Sequence, residues 1–504
     1  MPLSDRARER LEQTALHPGK SAEDRRAASD LRRVIYSTRS MPPSAQSDLV
    51  RPFVNHPTGK EARAAAALTR DPDFRKASTS ERELMASVFP STSPATARAL
   101  PALTRQLSQT NLSKAEREQV LRHACSEQRD APTREATRDV MRALKGQPEA
   151  AKNALLEPFT KPWLTEARAE GAQALVKSPA WKQLGPTERT QLAQVFSEAP
   201  GHEGLRSVKV LSQKPERLMD RDATGGTLLS NLARLAKGPL HPGVGESRRG
   251  ELMRGVLQET SRAYQVNQSG FGTCTVTSMQ YELVRDNPAE YARIVAGLAG
   301  PNGRVDMRGG GTLELQADSL PENALLDRSF SEALFQSSLM EFANGADEYH
   351  VQGPHGDESI RPDGTTYQGQ YGDGMVRASS ALFGKPFTDW STTDLSRDAQ
   401  LDFLRKYQPK GPNDPVLISF DTNGAAVEGG GHAVTFVKVE GDRVFFRNPW
   451  GPTADPKGTE EDFGARVEKG STGLYSFSLE QFRERVYALT VPSEAAGFGG
   501  RAVA

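Results

Sequence analysis

An α+β domain preceded by an all-α domain is the fold class this sequence predicts. Three observations carry the prediction. Residues 61–236 are dominated by Ala, Leu, Glu, Arg and Gln, with apolar positions at helical spacing. Residues 237–250, KGPLHPGVGESRRG, carry Pro, Gly and charge without periodicity and read as a linker. From 251 to 493, helical patterns give way to short Val- and Phe-rich runs that alternate as strands do.

Composition narrows the function classes. The 504 residues hold 64 Lys+Arg and 64 Asp+Glu, so the chain is neutral overall and nothing global favours nucleic acid. The longest apolar run falls short of the ~20 residues of a membrane span. The first residues, MPLSDRARERLEQ, lack the apolar core of a secretory signal. The two cysteines, Cys125 and Cys274, fall in different predicted domains and are expected to stay unpaired. The eight histidines show no ligand spacing, so no metal or other cofactor is expected. Acidic clusters such as Glu460-Glu461-Asp462 form no calcium-loop pattern, which leaves calcium dependence open. The expected location is cytoplasmic, or outside the cell by a route that needs no Sec-type signal.

Residues 1–60, rich in Arg, Ser, Pro and Ala, read as partly disordered with one or two helices. Capping boxes at Ser78–Glu81 and Ser113–Glu116 mark helix starts in the next region. An internal echo also appears there. Leu68, Phe74, Glu81-Arg82 and Val88-Phe89 recur 107 residues later as Leu175, Trp181, Glu188-Arg189 and Val195-Phe196. The echo suggests a duplicated helical unit. The region is expected to bind a protein partner or regulate its neighbour.

Beyond the linker, a helix over Leu252–Tyr264 leads into QVNQSGFGTC, residues 265–274. Cys274 closes that loop and opens a helix to Arg285, at whose N-terminus a thiolate would be favoured. Pro288–Leu298 reads as a second helix, Thr312–Leu315 as a strand and Ser331–Ala343 as a helix with the apolar face Leu334, Phe335, Leu339 and Phe342. Residues 344–374 read as a Gly/Tyr/Asp-rich loop, in which Tyr349, Tyr367 and Tyr371 suit loop packing. A helix over 375–383 follows. Val416–Phe420, Leu474–Phe477 and Val486–Val491 read as strands, and 494–504 as a flexible tail.

The segment Gly430–Gly451, GGHAVTFVKVEGDRVFFRNPWG, reads as a β-hairpin. A three-residue loop ending on Gly441 in a left-handed conformation sets His432 opposite Asn448, Val434 opposite Phe446 and Phe436 opposite Val444. A two-residue turn at Gly441–Asp442 would instead set Thr435 opposite Asn448. The three-residue loop has the better turn chemistry. It places an imidazole beside a carboxamide that can fix its tautomer.

Gln268, Cys274, His432, Asn448 and Trp450, in that order, resemble the papain superfamily of cysteine proteases. GHAV and RNPWG are closer to the calpain branch. The resemblance covers roughly 255–490 and implies a two-lobe core: a helical lobe carrying the nucleophile and an antiparallel sheet carrying the base. It implies Cys274 as nucleophile, His432 as base in a resting thiolate–imidazolium pair, and Asn448 as the group that orients the base. Gln268 would supply an oxyanion-hole amide, Trp450 a shield, and Gly372 and Gly374 a lining for the substrate cleft. The implied activity is a thiol endopeptidase acting on protein or peptide. Two departures stand out: Phe271 occupies a usual disulfide cysteine position, and Thr275 the place of an aromatic residue. Other readings of the same residues are a cysteine acyltransferase or glutamine deamidase, and a non-catalytic binding module on a protease fold.

Overall fold

Side-chain caps start most helices of the N-terminal region. The computed structural model describes residues 3–321, 325–351, 357–370, 372–407, 414–422, 431–452, 461–462, 464–470 and 472–496. The expected tail beyond residue 496, Tyr371, Gly429, Gly430 and Glu460 lie outside the described residues. Ser4 and Ser21 cap α1 (Asp5–Leu16) and α2 (Ala22–Thr38), and α3 spans Pro43–Asn55. The expectation of partial disorder over 1–60 is corrected: Leu31, Val34, Leu49 and Phe53 from these helices are fully or almost fully buried. Their apolar stripe is narrow and set among arginines, which hides it in the composition.

Both predicted capping boxes form, at Ser78–Glu81 and Ser113–Glu116. The internal echo is structural. Helices α4 (Lys60–Arg70), α5 (Pro72–Lys76) and α6 (Thr79–Val88) recur as helices Glu166–Lys177, Pro179–Gln183 and Pro186–Glu198. The central aromatic of each copy, Phe74 and Trp181, is buried.

The chain divides into two compact units, Met1–Ser197 and Glu198–Ala504. The boundary expected at 237–250 is therefore corrected. Helices Gly201–Ser212 and Leu228–Lys237 belong with the second unit. Asn231 Nδ2 donates to Ala289 O at 3.1 Å, Arg217 Nη2 to Val284 O at 2.9 Å, and Arg262 pairs with Glu203 at 2.9 Å. The supposed linker is packed: Val244 is buried and His241 N donates to Ala299 O at 2.8 Å.

In the second unit, the helix Cys274–Asp286 is buried on nearly every side, as is Phe330–Asn344. Neither is a one-faced amphipathic helix; both are core helices wrapped by other elements. The expected loop over 344–374 contains a small antiparallel sheet that the reading missed. Strands β1 (Arg304–Asp306) and β2 (Thr312–Glu314) pair with each other, and β3 (Glu348–Val351), β4 (Asp357–Ile360) and β5 (Thr366–Tyr367) form that small sheet. The main sheet contains β6 (Phe387–Ser391), β7 (Leu417–Asp421), β8 (Gly431–Glu440), β9 (Arg443–Arg447), β10 (Glu461–Asp462), β11 (Ala465–Val467), β12 (Leu474–Ser478) and β13 (Val486–Pro492). Its order is β10-β11-β12-β9-β8-β7-β13-β6, antiparallel throughout. The architecture is α+β with a helical N-terminal region. Among the described residues no helix is long and apolar enough to cross a membrane.

The hairpin turn differs from expectation, yet the face is preserved. Glu440 pairs with Arg443, so Gly441–Asp442 form a two-residue turn, with Gly441 at φ +59°. A bulge between Phe436 and Lys438 then shifts the ladder, and Phe436 pairs with Phe446 and Thr435 with Arg447. One added residue restores the face that the shorter turn would have reversed. Val434, Phe436, Val444 and Phe446 consequently share one core with Phe420 and Phe477.

The corrected boundary has a direct check. A fragment 198–504 is expected to be soluble and to melt cooperatively. A fragment 251–504, which strips the buried Leu228, Leu232 and Leu235 from their partners, is expected to aggregate or to lose its cooperative transition.

Candidate active site

Strand β8 and the Cys274 helix are fastened together by side-chain hydroxyls that donate to main-chain carbonyls. Ser278 Oγ donates to Ala433 O at 3.1 Å, and Thr435 Oγ1 donates to Ser278 O at 3.2 Å. Cys274 lies at the N-terminal end of this contact. Its thiol is within hydrogen-bonding reach of the Ala433 backbone, beside His432 in sequence. Thr273 precedes the helix without capping it through its side chain, which leaves first-turn N–H groups to act on the thiol.

His432 is 5% exposed, and its Nε2 lies 2.9 Å from Asn448 Oδ1. An amide oxygen only accepts, so Nε2 carries the proton and Nδ1 keeps the lone pair. Asn448 is fully buried and its own N–H donates to Gly473 O at 3.1 Å. The ring of Trp450 lies 5.1 Å from that of His432, and Phe420 meets the imidazole edge-to-face at 5.5 Å. Trp450 is 38% exposed. It therefore covers one side of the histidine while standing partly in solvent.

The loop before Cys274 is tied to the same region. Gln268 N donates to Pro449 O at 2.9 Å, and Asn267 bridges to Trp450. The Gln268 side chain is buried, with Nε2 donating to Phe271 O at 2.9 Å. One amide hydrogen is thus committed within the loop and the second has no partner among the described residues.

Gly372 and Gly374, expected to line a cleft, sit in the first turn of the helix Gly372–Phe383. A Cβ on Gly374 would lie 3.0 Å from Ala343 O, so close packing against the end of the neighbouring helix explains this glycine. The tightly packed glycine in the loop before Cys274 is Gly272. A Cβ there would meet Gly369 N at 3.2 Å and Asp357 Oδ1 at 3.3 Å.

Burial works against the expected resting pair. Burial pushes the Cys274 thiol up, opposed by hydrogen bonds from the Ala433 backbone and Thr275, and the Asp357 carboxylate pushes it further up. Burial holds His432 down at about 4, opposed by its bond to Asn448. Both shifts disfavour charge, so the closed site favours a neutral thiol and a neutral imidazole over thiolate–imidazolium.

Residues that the sequence reading missed hold this arrangement. Asp357 Oδ1 accepts from Gly272 N at 2.6 Å, and Tyr349 OH donates to Asp357 Oδ2 at 2.9 Å. Glu332 Oε1 accepts from Asn267 N at 2.7 Å, while Gln336 Nε2 donates to Asn267 O at 3.0 Å. Arg447 is 3% exposed and binds main-chain carbonyls of Asn448, Gly473, Tyr264, Val266 and Gly451. Burial lowers it to about 10, so it stays cationic at neutral pH. The signal was present in RNPWG: an arginine one residue from a buried asparagine, on a strand with Val444 and Phe446 inside. Among the described residues no group of three His, Cys, Asp or Glu is placed to hold a metal ion.

Comparison with known protein families, with curated proteins and with solved structures finds no match for this chain.

Two outcomes are expected. Arg447→Met removes the donor shared by five carbonyls, of which Gly473 O keeps its bond from Asn448 N, and should destabilise the second unit by about 3 kcal/mol or more in denaturant titrations. Arg447→Lys should recover part of that loss. The second concerns His432. The native imidazole stays neutral while the unfolded one, near 6.5, takes up a proton. Its contribution is complete above about pH 6.5 and is lost as pH falls toward 4, by about 3 kcal/mol. Wild type should therefore lose more stability than His432→Gln between pH 6.5 and 4, and equal losses would contradict the burial argument.

Proposed function

We propose that residues 251–493 are the core of a papain-superfamily, calpain-like cysteine endopeptidase that cleaves peptide bonds in protein. The observation that carries the reading is the 2.9 Å bond from His432 Nε2 to Asn448 Oδ1, next to a helix-opening cysteine in contact with Ala433. It supplies a nucleophile, a base with a defined tautomer and an orienting amide in one place. A deamidase or acyltransferase shares the first two groups and usually carries an aspartate as the third; here an asparagine occupies that place.

In the proposed reaction, Nδ1 of His432 takes the Cys274 proton as Sγ bonds to the substrate carbonyl carbon. The proton moves during attack because the neutral pair is the favoured resting state. The second amide hydrogen of Gln268 and the Cys274 N–H stabilise the oxyanion. His432 then gives its proton to the leaving nitrogen as the C–N bond breaks. Water, activated by the same imidazole, hydrolyses the thioester. Trp450 keeps bulk water from one side of the His432–Asn448 bond. Asp357 and Glu332 hold the Gln268–Cys274 loop by its backbone and are positioning residues. The helical N-terminal unit serves as a partner-binding module, and the unpaired Cys125 and Cys274 suit a reducing compartment.

The test is a search for new N-termini in a proteome treated with the protein. Cys274→Ala and His432→Ala should generate none. Asn448→Ala should retain a fraction of the rate, because nucleophile and base remain. Gln268→Ala should lower kcat by about 10²–10³, the usual cost of one oxyanion donor. Ammonia release without new N-termini would assign glutamine deamidation instead.

A further inference from the structure

The N-terminal unit carries a feature that the protease reading does not use. Four arginines, Arg33, Arg39, Arg75 and Arg82, line one pocket of about 620 Å³ between the C-terminal half of α2 and helices α5 and α6. That volume is in the range of roughly 300–1,000 Å³ typical of small-molecule sites. No carboxylate lines it. Among the described residues none of the four arginines makes an ion pair. Acids on the same helices are turned to other cations: Asp30 to Arg70, Asp73 to Arg105 at 2.9 Å, and Glu83 to Lys114 at 2.6 Å. Glu81 is taken up by its capping box, with Ser78 N donating to it at 2.7 Å. In a chain of zero net charge this is a local, uncompensated concentration of guanidinium groups.

Helix ends explain only part of it. Arg39 and Arg75 stand at the C-terminal ends of α2 and α5, where a cation complements the free carbonyls. Arg33 and Arg82 lie within their helices and have no such role. Two of the four are held in place. Arg39 stacks over the Tyr36 ring at 4.4 Å, and Arg82 Nε donates to Ala77 O at 3.1 Å, which leaves its Nη groups for a ligand. The duplicated unit gives an internal contrast. At the matching position Arg189 commits Nη1 to Gln147 Oε1 at 3.4 Å and Nη2 to Lys182 O at 3.3 Å. The first copy keeps free what the second copy uses for structure. Ser37 and Ser40 add hydroxyl donors at the rim.

We infer that this pocket binds a ligand carrying clustered phosphoryl groups. Guanidinium forks match phosphate oxygens in pairs, and several forks on one pocket select several phosphates over one. A free polyphosphorylated metabolite and a phosphorylated lipid headgroup share this chemistry.

Calorimetry on the full-length protein with sodium tripolyphosphate, pyrophosphate and orthophosphate tests the assignment. Saturable binding of one tripolyphosphate, at least tenfold tighter than orthophosphate, is expected. The double variant R33Q/R82Q should weaken it at least tenfold with an unchanged thermal transition. R105Q, which removes a paired arginine outside the pocket, should leave it unchanged. If the double variant fails to fold, R75Q, at an exposed position, carries the test with an expected loss of about threefold. Sedimentation with phosphatidylinositol-bisphosphate vesicles, competed by tripolyphosphate and absent with phosphatidylcholine alone, would assign the headgroup; free binding without sedimentation would assign a soluble ligand. Absence of saturable binding, equal affinity for orthophosphate and tripolyphosphate, or equal loss in R105Q would overturn the proposal.

Discussion

A buried guanidinium without a carboxylate holds the second unit's site together. Arg447 is removed from water and meets carbonyls of Tyr264 and Val266 ahead of Cys274, of the segment after β9 and of Gly473. Desolvating such a cation costs several kcal/mol, and only multiple well-placed acceptors offset it. Once that cost is met, the cation couples segments far apart in sequence. Asn448 follows it directly, and Gln268 follows Val266 by two residues, so one side chain ties the strand that leads into Asn448 to the loop that bears Gln268. A hydrophobic residue of equal volume would pack, but would take the guanidinium donors away from the carbonyls of Tyr264, Val266 and Gly451.

The loop that presents Cys274 is suspended in the same manner, through its backbone. Asn267 N reaches Glu332, Asn267 O reaches Gln336, and Gly272 N reaches Asp357. Burial pushes Glu332 well above the usual carboxylate range and raises Glu259 and Asp357 as well. The Glu259 carboxylate adds to the upward push on Glu332. A site this dry penalises resting charge on Cys274 and His432. It also strengthens any fixed donor acting on charge that develops during reaction. The shifts at Cys274 and His432 share one main cause, burial away from water.

In the N-terminal unit, duplication supplies a comparison that a single copy could not. The two copies keep the long–short–long order of helices and the buried aromatic on the short one. They differ in what the conserved-position arginine touches. Packing constraints preserve Phe74 and Trp181; the arginine, at the rim of each copy, is free to change partners without disturbing the core.

Local chemistry was enough for much of this protein. Capping boxes at Ser78 and Ser113, the helix opened by Cys274, the strand character of β8 and β9 and the order of Gln268, Cys274, His432 and Asn448 are all written within a few residues of each other or in simple spacing. Tertiary context decided the rest. The short turn at Gly441 would have reversed the hairpin's faces, and a bulge forced by packing of Phe436 against Phe446 restored them. Composition marked 1–60 as partly disordered and 237–250 as a linker, because a few buried leucines and one buried valine carry little weight in a window average. The small sheet β3–β5 and the carbonyl partners of Arg447 were invisible for the same physical reason. Each depends on partners distant in the chain: Glu348 on Ile360, and a strand arginine on carbonyls at 264 and 473. Periodicity reports which face a residue takes, while only the folded chain decides what that face meets.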